Sequence, residues 1–232
     1  MEWFGQRGVE AHFVGNPMLD ALDKDLSKYK KFYSDYNLQT VHIAIMPGSR
    51  DAEIGSLWRP MQQIANQIKS KYPNVTFTAV AVDEKRKDIL KSYQILGFRC
   101  KYAVGSVNEI AQESDFAIVA SGSATLQVAS AGCPMVVMYQ SSRIMWQLIG
   151  RWLVTAKNLS LINIIAQRDL VPEFMPYFDS VKPIVESIIK LLEDQNGLSQ
   201  LSGELIKLVE PLGKENASQN VVQIVREMLG KS

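Results

Sequence analysis

The sequence predicts an α/β fold, a parallel sheet of about six strands with helices on both faces and more helices following toward the C-terminus. Two observations carry this. Between residues 41 and 139, short apolar runs alternate with segments of helical spacing, and strand–helix–strand units of that kind close as right-handed crossovers with parallel neighbours. The runs are also apolar nearly throughout, not at every second residue, as strands buried on both faces must be.

The first such run, residues 41–46 (Val-His-Ile-Ala-Ile-Met), stops abruptly at Pro47-Gly48. Over 51–71, Ile54, Leu57, Trp58, Met61, Ile64 and Ile68 recur at helical intervals and predict an amphipathic helix. A strand at 75–82, a helix at 84–95 and a short strand near 98–102 follow. Then come a short helix at 107–113, a strand at 115–120, a loop at Ser121–Ser123, a helix at 124–132 and a strand at 134–139. Beyond about 142 the pattern is nearly all helical. No repeat or low-complexity stretch interrupts it.

The N-terminal part reads differently. Ala11-His12-Phe13-Val14 predicts a strand closed by Gly15-Asn16-Pro17, and a lysine- and tyrosine-rich stretch over 24–38 separates it from the sheet. Two readings stand: an edge strand of the same sheet, or the last strand of a preceding domain. The second gives a division into 1–38 (remnant and linker), 39–195 (the α/β domain) and 196–232 (C-terminal helices). It also expects the C-terminal helices to carry an apolar face.

Composition bounds the function. The 232 residues suit one large domain or one domain with an appendage, and include 25 Lys or Arg against 24 Asp or Glu, a net charge of +1. No global field draws nucleic acid. Cys100 and Cys133 form no metal or redox spacing and read as buried thiols of a reducing compartment. His12 and His42 lie in apolar runs and read as packed strand histidines. No secretory leader and no bilayer-spanning run is expected. Residues 142–157 place Ile144, Met145, Trp146, Leu148, Ile149, Trp152 and Leu153 beside Arg143, Arg151 and Lys157. That is either a helix buried between domains or subunits or one that rests on a membrane.

Ligands of open parallel sheets bind beyond the carboxyl ends of the strands, and two loops stand there. In Pro47-Gly48-Ser49-Arg50, the glycine admits close backbone approach, Ser49 caps the following helix or donates to an anion, and Arg50 offers a planar cationic fork for phosphate. A plain strand-to-helix turn with Ser49 as N-cap is the competing reading. In Ser121-Gly122-Ser123-Ala124-Thr125-Leu126-Gln127, small residues leave backbone amides open for an anion, and Gln127 stands one turn into the helix, within reach of a ribose. Neither loop has the dinucleotide Gly-x-Gly-x-x-Gly spacing or the P-loop lysine. The chain offers no Asp-x-Asp or histidine cluster, so no metal and no cofactor is expected.

Five segments resemble lipid-A-disaccharide synthases in order and spacing. Phe13-Val14-Gly15-Asn16-Pro17-Met18-Leu19-Asp20 is similar to their Phe-Val-Gly-His-Pro-Leu-x-Asp. Met46-Pro47-Gly48-Ser49-Arg50-x-x-Glu53-Ile54 resembles Leu-Pro-Gly-Ser-Arg-x-x-Glu-Ile. Ala120 through Gln127 resembles Ala-Ser-Gly-Thr-Ala-Thr-Leu-Glu, and Pro134-Met135-Val136-Val137-Met138-Tyr139 their Pro-Met-Val-Val-x-Tyr. Ser160-Leu161-Ile162-Asn163-Ile164-Ile165-Ala166, followed by Val171-Pro172-Glu173-Phe174, resembles Ser-Leu-Pro-Asn-Leu-Leu-Ala with its trailing motif.

What the resemblance implies is a GT-B glycosyltransferase, two Rossmann-like domains facing across a cleft, with this chain as the second, UDP-sugar-binding one. The reaction implied passes 2,3-diacylglucosamine from its UDP derivative to lipid X (2,3-diacylglucosamine 1-phosphate), giving lipid A disaccharide and UDP. By motif, Ser49 and Arg50 would face the diphosphate, with Arg50 stabilising it. The amides from Gly122 to Thr125 would face phosphate or ribose, Gln127 the ribose, and Asn163 would stand near the donor. Gly48, Ser121 and Asn16 complete the implied site. Three residues depart from the pattern: Gln127 for glutamate, Asn16 for histidine and Ile162 for proline. The catalytic base and most of the acceptor site are implied to lie in the first domain, outside this sequence. Asp20, Glu53 and Glu173 read as caps or surface charges, with a helping role in the chemistry as the alternative. The isolated chain is therefore expected to bind donor without turning it over. A cytoplasmic protein resting on the inner membrane, with homodimerisation among its contacts, is the implied setting. A non-catalytic nucleotide-sugar-binding module is the alternative, and a different GT-B transferase or a UDP-sugar epimerase a third.

Overall fold

The computed structural model describes residues 2–15, 17, 20, 25–34, 36–141, 158–213 and 216–230. Six parallel strands form one sheet: β1 (His42–Met46), β2 (Thr76–Ala81), β3 (Lys101–Val104), β4 (Phe116–Ala120), β5 (Met135–Met138) and β6 (Glu173–Phe174), in the order β3-β2-β1-β4-β5-β6. The described helices are α1 (Glu2–Gly5), α2 (Asp51–Lys71), α3 (Glu84–Ser92), α4 (Val107–Glu113), α5 (Ala124–Ser130), α6 (Leu161–Ala166), α7 (Lys182–Leu192), α8 (Gln195–Gly213) and α9 (Ala217–Leu229). The Rossmann-like sheet with helices on both faces is as the sequence predicts.

Strand alternation divides the core in two. Ile43 and Ile45 of β1 face one side with Leu57, Trp58, Met61 and Ile64 of α2 and Ile184 and Ile188 of α7. Ala44 and Met46 face the other, with Ala111 of α4, Leu126 and Ala129 of α5 and Leu205 and Val209 of α8. Both faces of β1 are thus dry, which is why its sequence is apolar from Ile43 to Met46. Helix α2 spans the range its spacing predicts, and every residue of the predicted stripe is buried. Trp58 donates its indole N–H to the Leu90 carbonyl at 2.8 Å. Buried Gln62 donates to the Tyr93 carbonyl and accepts from the Ile95 amide, pinning the loop after α3.

Three expectations are corrected. Residues 11–14 form no strand: Val14 offers its carbonyl to the Asn220 side chain of α9, and Phe13 is exposed. The sixth strand is β6, which runs beside β5. His12, expected in a strand, is exposed next to Glu10. By contrast His42 sits in β1, its Nε2 2.9 Å from the Thr78 hydroxyl.

The stretch read as a linker is packed. Leu26 and Tyr33 are buried, the Lys31 amide donates to Ser202 Oγ, and the Tyr33 amide donates to Ser199 Oγ. The Lys31 ammonium donates to the carbonyls of Ala111, Gln112 and Ser114 at the end of α4. Residues 25–33 therefore strap α4 to α8. Gly132, at φ +59°, makes this possible: a Cβ there would stand 2.5 Å from the Tyr29 carbonyl oxygen. Cys133 is fully buried beneath the strap, which pushes its thiol up to about 12, whereas Cys100 is only partly covered. Helix α9 shows the expected apolar face, with Val221, Val222, Val225, Met228 and Leu229 exposed.

Candidate functional site

The chain runs outward from β1 through β2 to β3, then returns to place β4 on the opposite side of β1. Consecutive loops diverge at that reversal, and a crevice opens above the β1 and β4 carboxyl ends. The structure holds a cleft of about 330 Å³ there. Gly48, Ser49, Arg50 and Glu53 line one wall, Ser121 to Ala124 with Gln127 the other, and Val80, Val82 and Val107 add an apolar end. Of the eleven positions singled out in the sequence, the cleft gathers Gly48, Ser49, Arg50, Ser121, Gly122, Ser123, Ala124 and Gln127.

The β1 loop is built around a carboxylate. Glu53 Oε2 accepts from the Ser49 amide at 2.9 Å and the Arg50 amide at 3.2 Å, and Oε1 accepts from Arg50 Nη1 at 2.9 Å. Gly48 lies at φ +104°, and a Cβ there would come within 2.4 Å of Glu53 Oε2. The glycine thus serves the fold-back of Glu53. Arg50, not Ser49, occupies the N-cap of α2, so the competing reading with Ser49 as the cap does not hold. The Arg50 side chain remains 82% exposed, held by one nitrogen and free on its other edge.

In the β4 loop the Ser121 amide donates to the Met138 carbonyl, and the Thr125 and Leu126 amides turn back to Gly122 and Ser123. The Gly122, Ser123 and Ala124 amides make no hydrogen bond to a described residue and lie at the cleft. The open donors are thus fewer than the expected run to Thr125. Thr125 itself is fully buried, its hydroxyl donating to the Gly122 carbonyl at 2.7 Å, so it shapes the loop from behind.

Asn163 is likewise not a cleft residue. It is fully buried, accepts from the Leu170 and Val171 amides at 2.9 and 3.0 Å, and donates to the Val171 carbonyl at 2.8 Å and Glu173 Oε2 at 2.9 Å. Glu173 in turn accepts from the Leu159 and Ser160 amides. The two late motifs therefore bracket α6 to β6. Asp20 holds the start of α9 through the Ala217 and Ser218 amides, and these bonds keep its carboxyl below the usual range. Glu53, Glu173 and Asp20 thus each accept two backbone amides beside the start of a helix. Asn16 and residues 142–157 lie outside the described residues. Among the described residues no cluster of His, Cys, Asp and Glu is arranged to hold a metal ion, and no helix is long and apolar enough to cross a membrane.

The family model described as lipid-A-disaccharide synthetase matches residues 1–227. The lipid-A-disaccharide synthase of Geobacter sulfurreducens is 29% identical over 232 residues, covering 99% of this chain and 60% of its own length. The chain thus spans about 60% of the length of the curated relatives it matches. Among solved structures, a co-structure of S. aureus MnaA with UDP is 15% identical and covers 94% of this chain and 54% of its own, at a TM-score of 0.57. The spinosyn rhamnosyltransferase SpnG complexed with thymidine diphosphate is 14% identical, covers 79% of this chain and 45% of its own, and has a TM-score of 0.53. At these identities the structures share the fold.

Proposed function

This chain belongs to the lipid-A-disaccharide synthetase family, and we propose that it forms the nucleotide-sugar-binding portion of a glycosyltransferase. In this reading the donor is UDP-2,3-diacylglucosamine, the acceptor lipid X, and the products lipid A disaccharide and UDP. The observation that carries it is the cleft at the β1–β4 reversal, lined by an exposed arginine and by the open backbone amides of Gly122, Ser123 and Ala124. That is a donor set for a diphosphate. Two neighbours of the same fold are described with UDP and thymidine diphosphate, both pyrimidine nucleoside diphosphates.

The chemistry assigns the residues distinct parts. An acceptor hydroxyl, deprotonated as it attacks, forms a bond to the anomeric carbon while the bond to the diphosphate breaks. Negative charge grows on the departing UDP, and Arg50 with the Gly122 and Ser123 amides stabilises it. Gln127 reaches the ribose. The base comes from the portion of the synthase that this chain does not span. Among the described cleft residues the one carboxylate is Glu53, and both its oxygens are engaged. The acylated substrates place the reaction at the cytoplasmic face of a membrane, with the chain resting on that surface. A non-catalytic nucleotide-sugar-binding module is the second reading, favoured by the same engaged carboxylate.

Calorimetric titration with UDP tests the site. Arg50→Ala should lose a charge-assisted contact of about 1.5–3 kcal/mol, roughly 10- to 150-fold in affinity, and wild-type binding should persist in EDTA. Unchanged affinity in a folded Arg50→Ala protein overturns the site. Incubation with donor and lipid X should give no disaccharide from this chain alone. Turnover of about 1 per second would show that the base lies within it.

A further inference from the structure

The Ser49 and Arg50 amides and the Arg50 guanidinium converge on one internal carboxylate. The guanidinium is a donor that the proposed function requires for a diphosphate, and Ser49 and Arg50 line the same cleft. Arg50 and Glu53 are also the charged residues among the described lining of the cleft, and they pair at 2.9 Å. Their charges cancel, so an incoming diphosphate meets little net positive field while the pair is closed. The carboxylate is only 14% exposed, whereas the arginine it holds lies open to solvent. The missing Cβ of Gly48 leaves room for that carboxylate.

We propose that Glu53 is the ligand-free occupant of the diphosphate subsite, an internal anion that a bound nucleoside diphosphate displaces from the Ser49 and Arg50 amides. The inference rests on the reading of the cleft as a diphosphate site. Glu53 then has two states. Closed, it caps α2 and keeps two backbone donors satisfied, which an empty cleft would otherwise leave to water. Open, it releases both amides and the arginine fork to the phosphate oxygens, which accept more strongly than a neutral group would. The competition lowers apparent affinity for diphosphate, because binding must first undo three hydrogen bonds. A side chain kept for capping alone would have no such effect on affinity.

The two roles predict opposite signs for Glu53→Gln. A neutral amide accepts from the loop more weakly and does not neutralise Arg50, so the subsite is easier to open. Thermal stability should fall, since the cap is weakened, while UDP binds about three- to tenfold more tightly. Uridine, which lacks phosphate, should bind the variant and the wild type alike. In an Arg50→Ala background the gain from Glu53→Gln should shrink, because part of what it frees is gone. Calorimetry and differential scanning fluorimetry on the full 232-residue chain read all four. If UDP binds, Arg50→Ala weakens it, and Glu53→Gln leaves affinity equal or lower, Glu53 is a cap and the displacement is overturned. If UDP binds neither wild type nor variant, the diphosphate reading itself fails. Should Glu53→Gln not fold, Glu53→Asp serves, being too short to reach both amides. It should also bind UDP more tightly than wild type, and equal or weaker binding overturns the proposal.

Discussion

Replacing Asn163 by Asp separates scaffold from binding site at a single position. The two side chains have the same shape, so no cavity forms and the acceptor for the Leu170 and Val171 amides survives. What is lost is the pair of N–H donors. One serves the Val171 carbonyl at 2.8 Å and the other Glu173 Oε2 at 2.9 Å. The first is worth about 1 kcal/mol and the second, to a charged partner, about 1.5–3 kcal/mol. Together these come to about 2.5–4 kcal/mol, and an oxygen facing each orphaned acceptor adds repulsion to that. For a chain of this size each kcal/mol lowers the midpoint by about 2–4 °C, giving a fall of at least roughly 5–16 °C. Scanning calorimetry measures it directly. UDP titration well below the new midpoint should then give an affinity within about twofold of wild type, because Asn163 is buried and apart from the cleft. A variant as stable as wild type but deaf to UDP would refute the bracket and return Asn163 to the donor site.

Two further outcomes follow from the core. Gly132→Ala should destabilise by about 2 kcal/mol or more, since its φ of +59° strains any side chain and its Cβ drives into the Tyr29 carbonyl; denaturant melts check this, and a neutral result would mean that the strap yields freely. His42 is held below its ordinary value, chiefly by burial. Its folded form therefore binds protons less readily than the unfolded chain. The stability this gives is present above pH of about 6.5 and lost as pH falls through the lowered folded value. His42→Gln should flatten that part of the stability–pH curve, and an unchanged slope would remove His42 from the account.

Long apolar runs made the sheet legible. Residues 41–46, 75–82, 115–120 and 134–139 each contain a strand because a strand buried on both faces has little freedom in composition. The cleft loops were legible for a related reason: small residues directly after such runs mark the carboxyl edge of the sheet. Strand β6 was not, because two residues after Pro172 carry no periodic signal. Phe13 and Val14 look like strand residues but find no neighbouring edge, and pairing is a tertiary fact. The strap escaped notice because Lys31 and Tyr33 are polar in sequence, and the half-buried lysine and buried tyrosine are held only through carbonyls and hydroxyls supplied by α4, Asp115 and α8. Asn163 was carried to the donor site by motif alone, and a motif records which residues are kept: a bracket and a ligand contact leave the same mark.

The strap has a consequence for biogenesis. Its amides meet Ser202 and Ser199 across separations of 171 and 166 residues. A ribosome adding about 5–20 residues per second delivers those partners roughly ten to thirty seconds after the strap itself has emerged. During that interval Leu26 and Tyr33 have no α8 to lie against, and the apolar surface of α4 and α5 that clusters with Leu26 stays wet. A helix made long after the strap thus closes it, so shortening the chain within α8 would release the strap as well.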